Sequence, residues 1–284
     1  YYPDLDDTPV VLMGLLRAGA HLDRRYVERI AKGVNWIIGM QSKDGGWGAF
    51  DIDNNALYLN HIPFADHGAL LDPSTSDVTA RCMELLSMIG YTRNFPPITR
   101  ALDFIRKEQE SNGAWFGRWG VNYIYGTWSV LAGLKQIGED MSQPYIRKAV
   151  NWLISCQNSD GGWGETCYSY HEPAFSGRGE TTASQTAWAL LGLMAAGEVD
   201  SGVVRRGIEY LCGTQNETGG WEERQYTGTG FPKVFYLRYH GYRQFFPMWA
   251  LGVYRSLLAA GSTRQDKMRL KSPISLNLTI NRSS

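Results

Sequence analysis

Cysteine is scarce in this chain. Four residues of 284, Cys82, Cys156, Cys167 and Cys212, lie far apart and in no ligand spacing, which argues against a disulfide framework and against a zinc site. A reducing compartment is the default expectation. Excess charge of either sign is also missing: 28 Lys and Arg balance 28 Asp and Glu. With no basic stripe interleaved with aromatics, nucleic acid is not an expected partner. There is no long apolar run, because the least charged stretch, 181–197, is broken by Thr182, Ser184, Gln185 and Thr186. It is too short and polar for a spanning helix, so any membrane contact would be to one face. No Met and no charged-then-apolar leader stand before Tyr1, and the chain is expected to be a piece of a longer one.

Two metal readings fail for want of single residues. Asp51-Ile52-Asp53-Asn54-Asn55 begins like a calcium loop, but Ala56 stands at the required Gly and Ile62 at the required Glu. His21, His61, His67, His171 and His240 show no paired helical spacing, and no Ser or Cys has a nearby base. No metal site is expected from these residues.

What the chain has in quantity is apolar and aromatic residues, 43% and 13%, enough for one large core or two modest ones. They recur in a fixed register. Lys32, Gly33, Trp36, Gln41, Gly45 and Trp47 are matched by Arg100, Ala101, Phe104, Gln109, Gly113 and Trp115. A third copy is Lys148, Ala149, Trp152, Gln157, Gly161 and Trp163, and a fourth is Arg206, Gly207, Tyr210, Gln215, Gly219 and Trp221. In all four, Gln follows the basic residue by nine and precedes Trp by six, a register that marks a repeat architecture.

Segments such as Tyr26 to Met40 and Tyr145 to Cys156 carry apolar residues at helical spacing and stop at a Gly-rich turn, which predicts a helix closed by a left-handed Gly. The Gln amide is suited to satisfying orphan backbone groups of a neighbouring helix while the Trp packs beside it. A second, more apolar type of helix alternates with the first, with its own template: Thr8, Gly14, Gly19; Thr127, Gly133, Gly138; Thr186, Gly192, Gly197. Thr79 to Gly90 keeps the length with Leu85 at the centre, and a looser fifth helix is expected from about Phe246 to Gly261. The fold class read from this alternation is all-α, an α/α toroid of inner and outer helices, incomplete at its N-terminus. One domain is expected over 1–261, with a frayed tail over 262–284.

Superposing the inner helices on their Thr places Asp6, Asp77, Tyr125 and Ser184 at one offset, two before it. Polar groups are thereby expected at the helix entries around a greasy central cavity, an arrangement suited to an apolar substrate and one reactive cluster. Asp4, Asp6 and Asp7 put three carboxyl groups within four residues at a helix start. One reading is helix capping. The other is chemical: neighbouring carboxylates cannot all ionise cheaply, and burial pushes the same way, so one is held protonated. Arg81, four after Asp77, reads either as an ion-pair partner or as the permanent cation that polarises this acid network. Aromatic-dense stretches, Trp119 to Tyr125 and Phe231 to Tyr242, read either as core or as ring faces that stabilise cations without trapping them.

Asp4-Leu5-Asp6-Asp7-Thr8 resembles the DxDD motif of the squalene-hopene cyclases, and the Gln-Gly-Trp repeats resemble the QW motifs of that superfamily. The likeness runs from Tyr1 to about Gly261. It implies the catalytic C-terminal α/α-barrel domain of an enzyme that turns squalene into hopene or hopanol, with roughly half the enzyme absent. It also implies Asp6 as proton donor, Asp4 and Asp7 as its tuners, and Asp77 and Arg81 in the same network. His is familiar where Arg81 stands, and Arg can polarise but not shuttle a proton. Phe64, Trp119, Tyr125, Phe231, Phe235, Tyr239 and Tyr242 match pocket aromatics. Phe50 stands for a familiar Tyr and His67 for a familiar Phe. The resemblance further implies no cofactor, a homodimer when complete, and monotopic seating on the cytoplasmic face of a bacterial membrane. The missing N-terminal half of the same chain would be a further partner.

Three alternatives compete. An oxidosqualene cyclase opens an epoxide with a different acid motif. A protein prenyltransferase β-subunit would need Asp, Cys and His zinc ligands. The third is an inert, partner-binding half-domain.

Overall fold

The computed structural model describes residues 2–62 and 70–262. Phe64, His67 and the expected tail from 263 onward lie outside them. The described residues form two compact units, one of 2–62, 70–107 and 136–138, the other of 108–135 and 139–262.

The first unit carries α1 (Asp7–Arg17), α2 (Arg24–Gly39), α3 (Ser76–Met88) and α4 (Pro96–Lys107). The expected helix over 26–40 is α2, begun two residues earlier because the Asp23 side chain accepts the Arg25 N–H at 2.9 Å, an N-cap. α2 and α4 bury one stripe each, whereas α3 buries Ser76 to Ala80, Cys82, Met83, Leu85 and Leu86. That is the contrast expected of outer and inner helices.

The second unit carries α5 (Tyr123–Gln136), α6 (Pro144–Ser155), α7 (Ala183–Ala195), α8 (Gly202–Thr214) and α9 (Tyr242–Ser262). α5 and α7 are buried on nearly every side, while α6 and α8 are amphipathic. α9 starts four residues before the expected Phe246, since the Gly241 carbonyl accepts the Gln244 and Phe245 N–H groups and opens the helix there. One element departs from the all-α expectation. β1 (Gly228–Phe231) and β2 (Phe235–Leu237) pair antiparallel, Thr229 opposite Tyr236. The aromatic and β-branched residues there suit a pleated surface, and Lys233 takes a φ of 72° in the turn.

The six-residue template turns out to carry contacts between successive repeats. Gln41 Nε2 donates to its own turn at Gly45 O and to Pro97 O in the first turn of α4, both at 2.8 Å. The same double contact runs from Gln109 to Gly113 and Tyr145 and from Gln157 to Gly161 and Val203. The basic residue of the next repeat closes the chain, Arg100 donating to Gln41 Oε1 and Arg206 to Gln157 Oε1.

One expectation needs correcting. First-turn carbonyls are not orphans of a helix, so Gln does not serve as the cap. The Trp does: Trp47, Trp163 and Trp221 indole N–H groups donate to Ile37, Leu153 and Leu211 carbonyls at 2.7–2.8 Å, in the last turns of α2, α6 and α8. The inner-helix Thr of the template has its own role. Thr79, Thr127 and Thr186 hydroxyls accept the backbone N–H of Trp47, Trp115 and Trp163 at 2.9–3.0 Å.

The turn Gly is demanded twice over. Gly161 has a φ of 91°, and a Cβ there would lie 2.7 Å from Arg206 O. Gly161→Ala is therefore expected to destabilise the protein by about 2 kcal/mol or more. Gly197 has the same φ with nothing within 4 Å of a Cβ, so Gly197→Ala should cost about 1 kcal/mol. Urea titrations of both variants test this, and equal costs would dismiss the close approach as the cause.

Candidate active site

The acidic segment is pinned before it reaches the helix. Leu5 is buried and donates its N–H to Ala49 O at 2.7 Å, which fixes where its neighbours can point. Asp4 Oδ1 accepts the N–H groups of Asp6 at 2.9 Å and Asp7 at 2.6 Å, and Asp4 O accepts the Thr8 N–H at 3.2 Å. Asp4 is thus the residue that caps α1. The Asp6 side chain makes no capping bond; instead its Oδ1 meets Arg81 Nη1 at 2.5 Å across from α3. Capping thus belongs to Asp4, while the Asp6 carboxyl is engaged by Arg81.

Burial shapes the electrostatics. The Asp6 side chain is 23% exposed and that of Arg81 12%; Asp77 is fully buried in the first turn of α3. Asp6 is pushed up to about 6, first by desolvation and then by the charges of Asp77, Asp7 and Asp4, against the opposing pull of Arg81. Asp7 also rises, through desolvation and the nearby Asp4, with Arg81 opposing. The buried Cys82 thiol is driven up by desolvation and stays neutral.

Other inner helices spend their buried acids differently. Glu165 Oε2 accepts the N–H of Asn122 at 3.3 Å and of Ile124 at 2.9 Å, at the start of α5. Glu223 accepts the Ser184 N–H and hydroxyl, each at 2.9 Å, at the start of α7. These are anchoring roles at positive helix ends. At the entry to α1 the Asp6 carboxyl meets the Arg81 guanidinium.

The aromatic candidates fall into three groups. In the second unit Tyr125 is buried and packs edge-on against Trp128 and Trp188 at 5.6 and 4.9 Å. Tyr242 joins the same ring cluster through Trp188 at 5.9 Å and Phe246 at 5.0 Å, and stacks on Tyr239 at 4.7 Å. Phe231 and Phe235 face each other across the hairpin at 5.7 Å, and the Arg118 guanidinium lies over Trp119 at 5.3 Å. Phe235 and Tyr239 keep 45% and 44% of their surface exposed. In the first unit Phe50 is 37% exposed and meets Tyr2 edge-on at 6.2 Å. The third group, Phe64 and His67, lies outside the described residues.

Trp128, Trp188 and Phe246 were not singled out from sequence. A signal was present: Trp128 and Trp188 follow the template residues Thr127 and Thr186 by one and two positions, which puts them on inner helices. Among the described residues no three His, Cys, Asp or Glu are grouped to hold a metal ion, and no helix there is long and apolar enough to cross a membrane.

Comparison with known proteins fits this geometry. The family model described as squalene-hopene cyclase C-terminal domain matches residues 1–256. The chain belongs to the squalene-hopene cyclase family. A squalene-hopene cyclase of Bradyrhizobium diazoefficiens is 57% identical over 90% of this chain and 39% of its own length. A probable squalene-hopene cyclase of Sinorhizobium fredii is 56% identical over 90% of this chain and 40% of its own. The chain thus spans about two-fifths of the length of the curated relatives it matches.

Solved structures show the fold. A type II terpene cyclase from Scytonema aligns with a TM-score of 0.59 at 18% identity, over 91% of this chain and 74% of that one. A protein from Actinoplanes aligns at 0.62 and 16%, over 89% and 76%. The fold class is the all-α, α/α toroid of the type II terpene cyclases, as the alternation of helices led us to expect.

Proposed function

We propose that the complete protein cyclises squalene to hopene, with hopanol formed when water quenches the last cation. Asp6 is the general acid. Its carboxyl O–H transfers a proton to the terminal C=C of squalene, the alkene π electrons form the new C–H bond, and the carboxylate left behind is stabilised by Arg81. Successive alkenes then attack the tertiary cation, and the final cation loses a proton or gains water. Ring closure to hopene is an isomerisation that neither oxidises nor reduces the substrate, so no redox cofactor enters its balance.

The observation that carries the reading is the Asp6–Arg81 pair: a half-buried acid raised to about 6 yet held by a guanidinium at 2.5 Å. An unactivated alkene is a very weak base, and an acid that still carries its proton up to about pH 6, with a ready-made stabiliser for its anion, suits it. Asp4 holds the helix start and Asp7 and Asp77 raise the acid. The partly exposed rings of Phe235 and Tyr239, and the aromatics Trp119, Tyr125, Phe231 and Tyr242, have the chemistry to stabilise cations by about 0.5–2 kcal/mol each. Phe50, Phe64 and His67 are the remaining candidates for contact with substrate, the last two outside the described residues.

An apolar substrate is dissolved in lipid, so we place the complete enzyme monotopically on the cytoplasmic face of a membrane, as a homodimer that includes the N-terminal portion of the same chain. Incubating the full-length protein with squalene and, separately, with its 2,3-epoxide tests the reading. Hopene from squalene in the gas chromatogram is the expected result. Turnover of the epoxide alone would move the protein to the oxidosqualene cyclases.

A further inference from the structure

Trp119 stands on a strap, residues 117–122, that leads into α5. Outside helices and sheets, a buried backbone must find other partners for its N–H and C=O groups. Trp119 O accepts the Thr229 N–H at 3.3 Å, the Val121 N–H donates to Thr227 O at 3.0 Å, and Val121 O accepts the Gln185 side-chain amide at 2.9 Å. Gly117 O and Gly120 O meet a single group, the phenol O–H of Tyr170, at 2.6 and 2.8 Å. Tyr170 is itself buried, its ring edge-on to Phe116 at 5.5 Å and stacked on Tyr236 of β2 at 5.8 Å.

A buried tyrosine hydroxyl ordinarily finds some acceptor. Here its two acceptors bracket Arg118 and the half-buried Trp119, and one phenol proton shared between them ties the backbone on both sides of that ring. The strap has little room to shift, since a Cβ on Gly120 would lie 2.4 Å from the Tyr125 ring on which its backbone rests. We propose that Tyr170 is the positioning residue for Trp119: its hydroxyl, bridging the carbonyls of Gly117 and Gly120, sets where the indole stands beside the cations of the reaction. Cation–π attraction needs the charge over the ring face, within about 6 Å of the centroid, so a displaced Trp119 stabilises a cyclising intermediate less. That cation then loses a proton to solvent, leaving an alkene of fewer rings, before the next C–C bond closes.

The inference rests on Trp119 as a cation-stabilising ring in squalene cyclisation, and the test separates the two. In the full-length protein Tyr170→Phe removes one oxygen and keeps the ring, while Thr227, Thr229 and Gln185 still hold the rest of the strap. The expected result is a kcat lower by about 10-fold, on the scale that small displacements cost. KM should stay close to the parent's, because the lost stabilisation belongs to the transition states, and alkenes of fewer rings should rise in the gas chromatogram at the expense of hopene. Trp119→Leu should show the same pattern more strongly, and adding Tyr170→Phe to it should change little further. A Tyr170→Phe protein that fails to fold, or that loses rate with hopene's share of the product unchanged and effects additive with Trp119→Leu, would make Tyr170 a residue of the fold alone and overturn the inference. Parent-like rate and products from Tyr170→Phe beside an impaired Trp119→Leu would overturn it too, and leave the reading of Trp119 standing. If Trp119→Leu itself makes hopene as the parent does, that reading fails and takes the inference with it.

Discussion

Asp6→Asn in the full-length protein is expected to lower squalene cyclisation by at least about 10⁴-fold, to the floor of detection, while raising stability at neutral pH. The rate loss follows because an amide has no acidic proton to give, and water cannot replace a general acid held against an alkene. The gain in stability follows from linkage. Asp6 is raised from 3.8 to about 6 in the folded protein, so the fold binds its neutral form better. That stabilisation is fully present below about pH 4 and is lost as pH rises through about 6.

A neutral Asn does not titrate, so at pH 7 the variant avoids the loss. The two-unit gap caps the difference at about 3 kcal/mol, and 23% residual exposure of the side chain reduces it toward about 1 kcal/mol. Urea melts at pH 7 and pH 4 should show the variant ahead at the first and level at the second. A variant that is inactive because it is unfolded at both would remove the argument, as would normal hopene formation. An active site that costs stability where it gains reactivity is the general expectation for a strained acid.

The repeat register was legible because the Gln, the turn Gly and the basic residue of the template answer to contacts between successive repeats. Gln41 must reach Gly45 and Pro97, Arg100 must reach Gln41, and Gly45 must admit the backbone of Arg100, so spacing alone carries the geometry. Which group performs the helix capping was not legible, since a Gln and a Trp near a helix end both offer N–H donors. Their division of labour depends on three-dimensional direction.

The acid cluster shows the same limit. Three aspartates in four residues announce crowding, and superposition of the inner helices brought Asp77 and Arg81 alongside. That Asp4 caps while Asp6 turns to Arg81 depends on the Leu5 to Ala49 hydrogen bond, a long-range anchor with no local signature. The hairpin over 228–237 escaped for a related reason: strands of four and three residues are too short to show a period of two. Trp128, Trp188 and Phe246 cluster because α5, α7 and α9 pack together, and pattern along one helix does not report what faces it.

Arg81→Gln is expected to slow cyclisation by about 10²-fold at its pH optimum and to move the alkaline limb of the rate–pH profile upward. Removing the guanidinium leaves Asp6 with desolvation and the repulsion of Asp77, Asp7 and Asp4 unopposed, so its proton is held more firmly and over a wider pH range. More of the enzyme then carries the proton at pH 7, yet each proton is harder to give up. For a base as weak as an alkene the second effect wins, because acid strength enters the barrier directly while occupancy can rise only to one. Arg81→Lys keeps the charge and loses the planar fork, and should fall between, about 10-fold down with little movement of the limb.

Stability adds an independent sign. With Asp6 raised further, the Arg81→Gln protein should lose more stability relative to the parent at pH 8 than at pH 5, since ionising the unpaired acid is what costs. Rate–pH profiles and urea melts at the two pH values measure both consequences. A variant with the parent's limb and a pH-independent stability loss would mean that the 2.5 Å pair shapes the fold and leaves the proton alone.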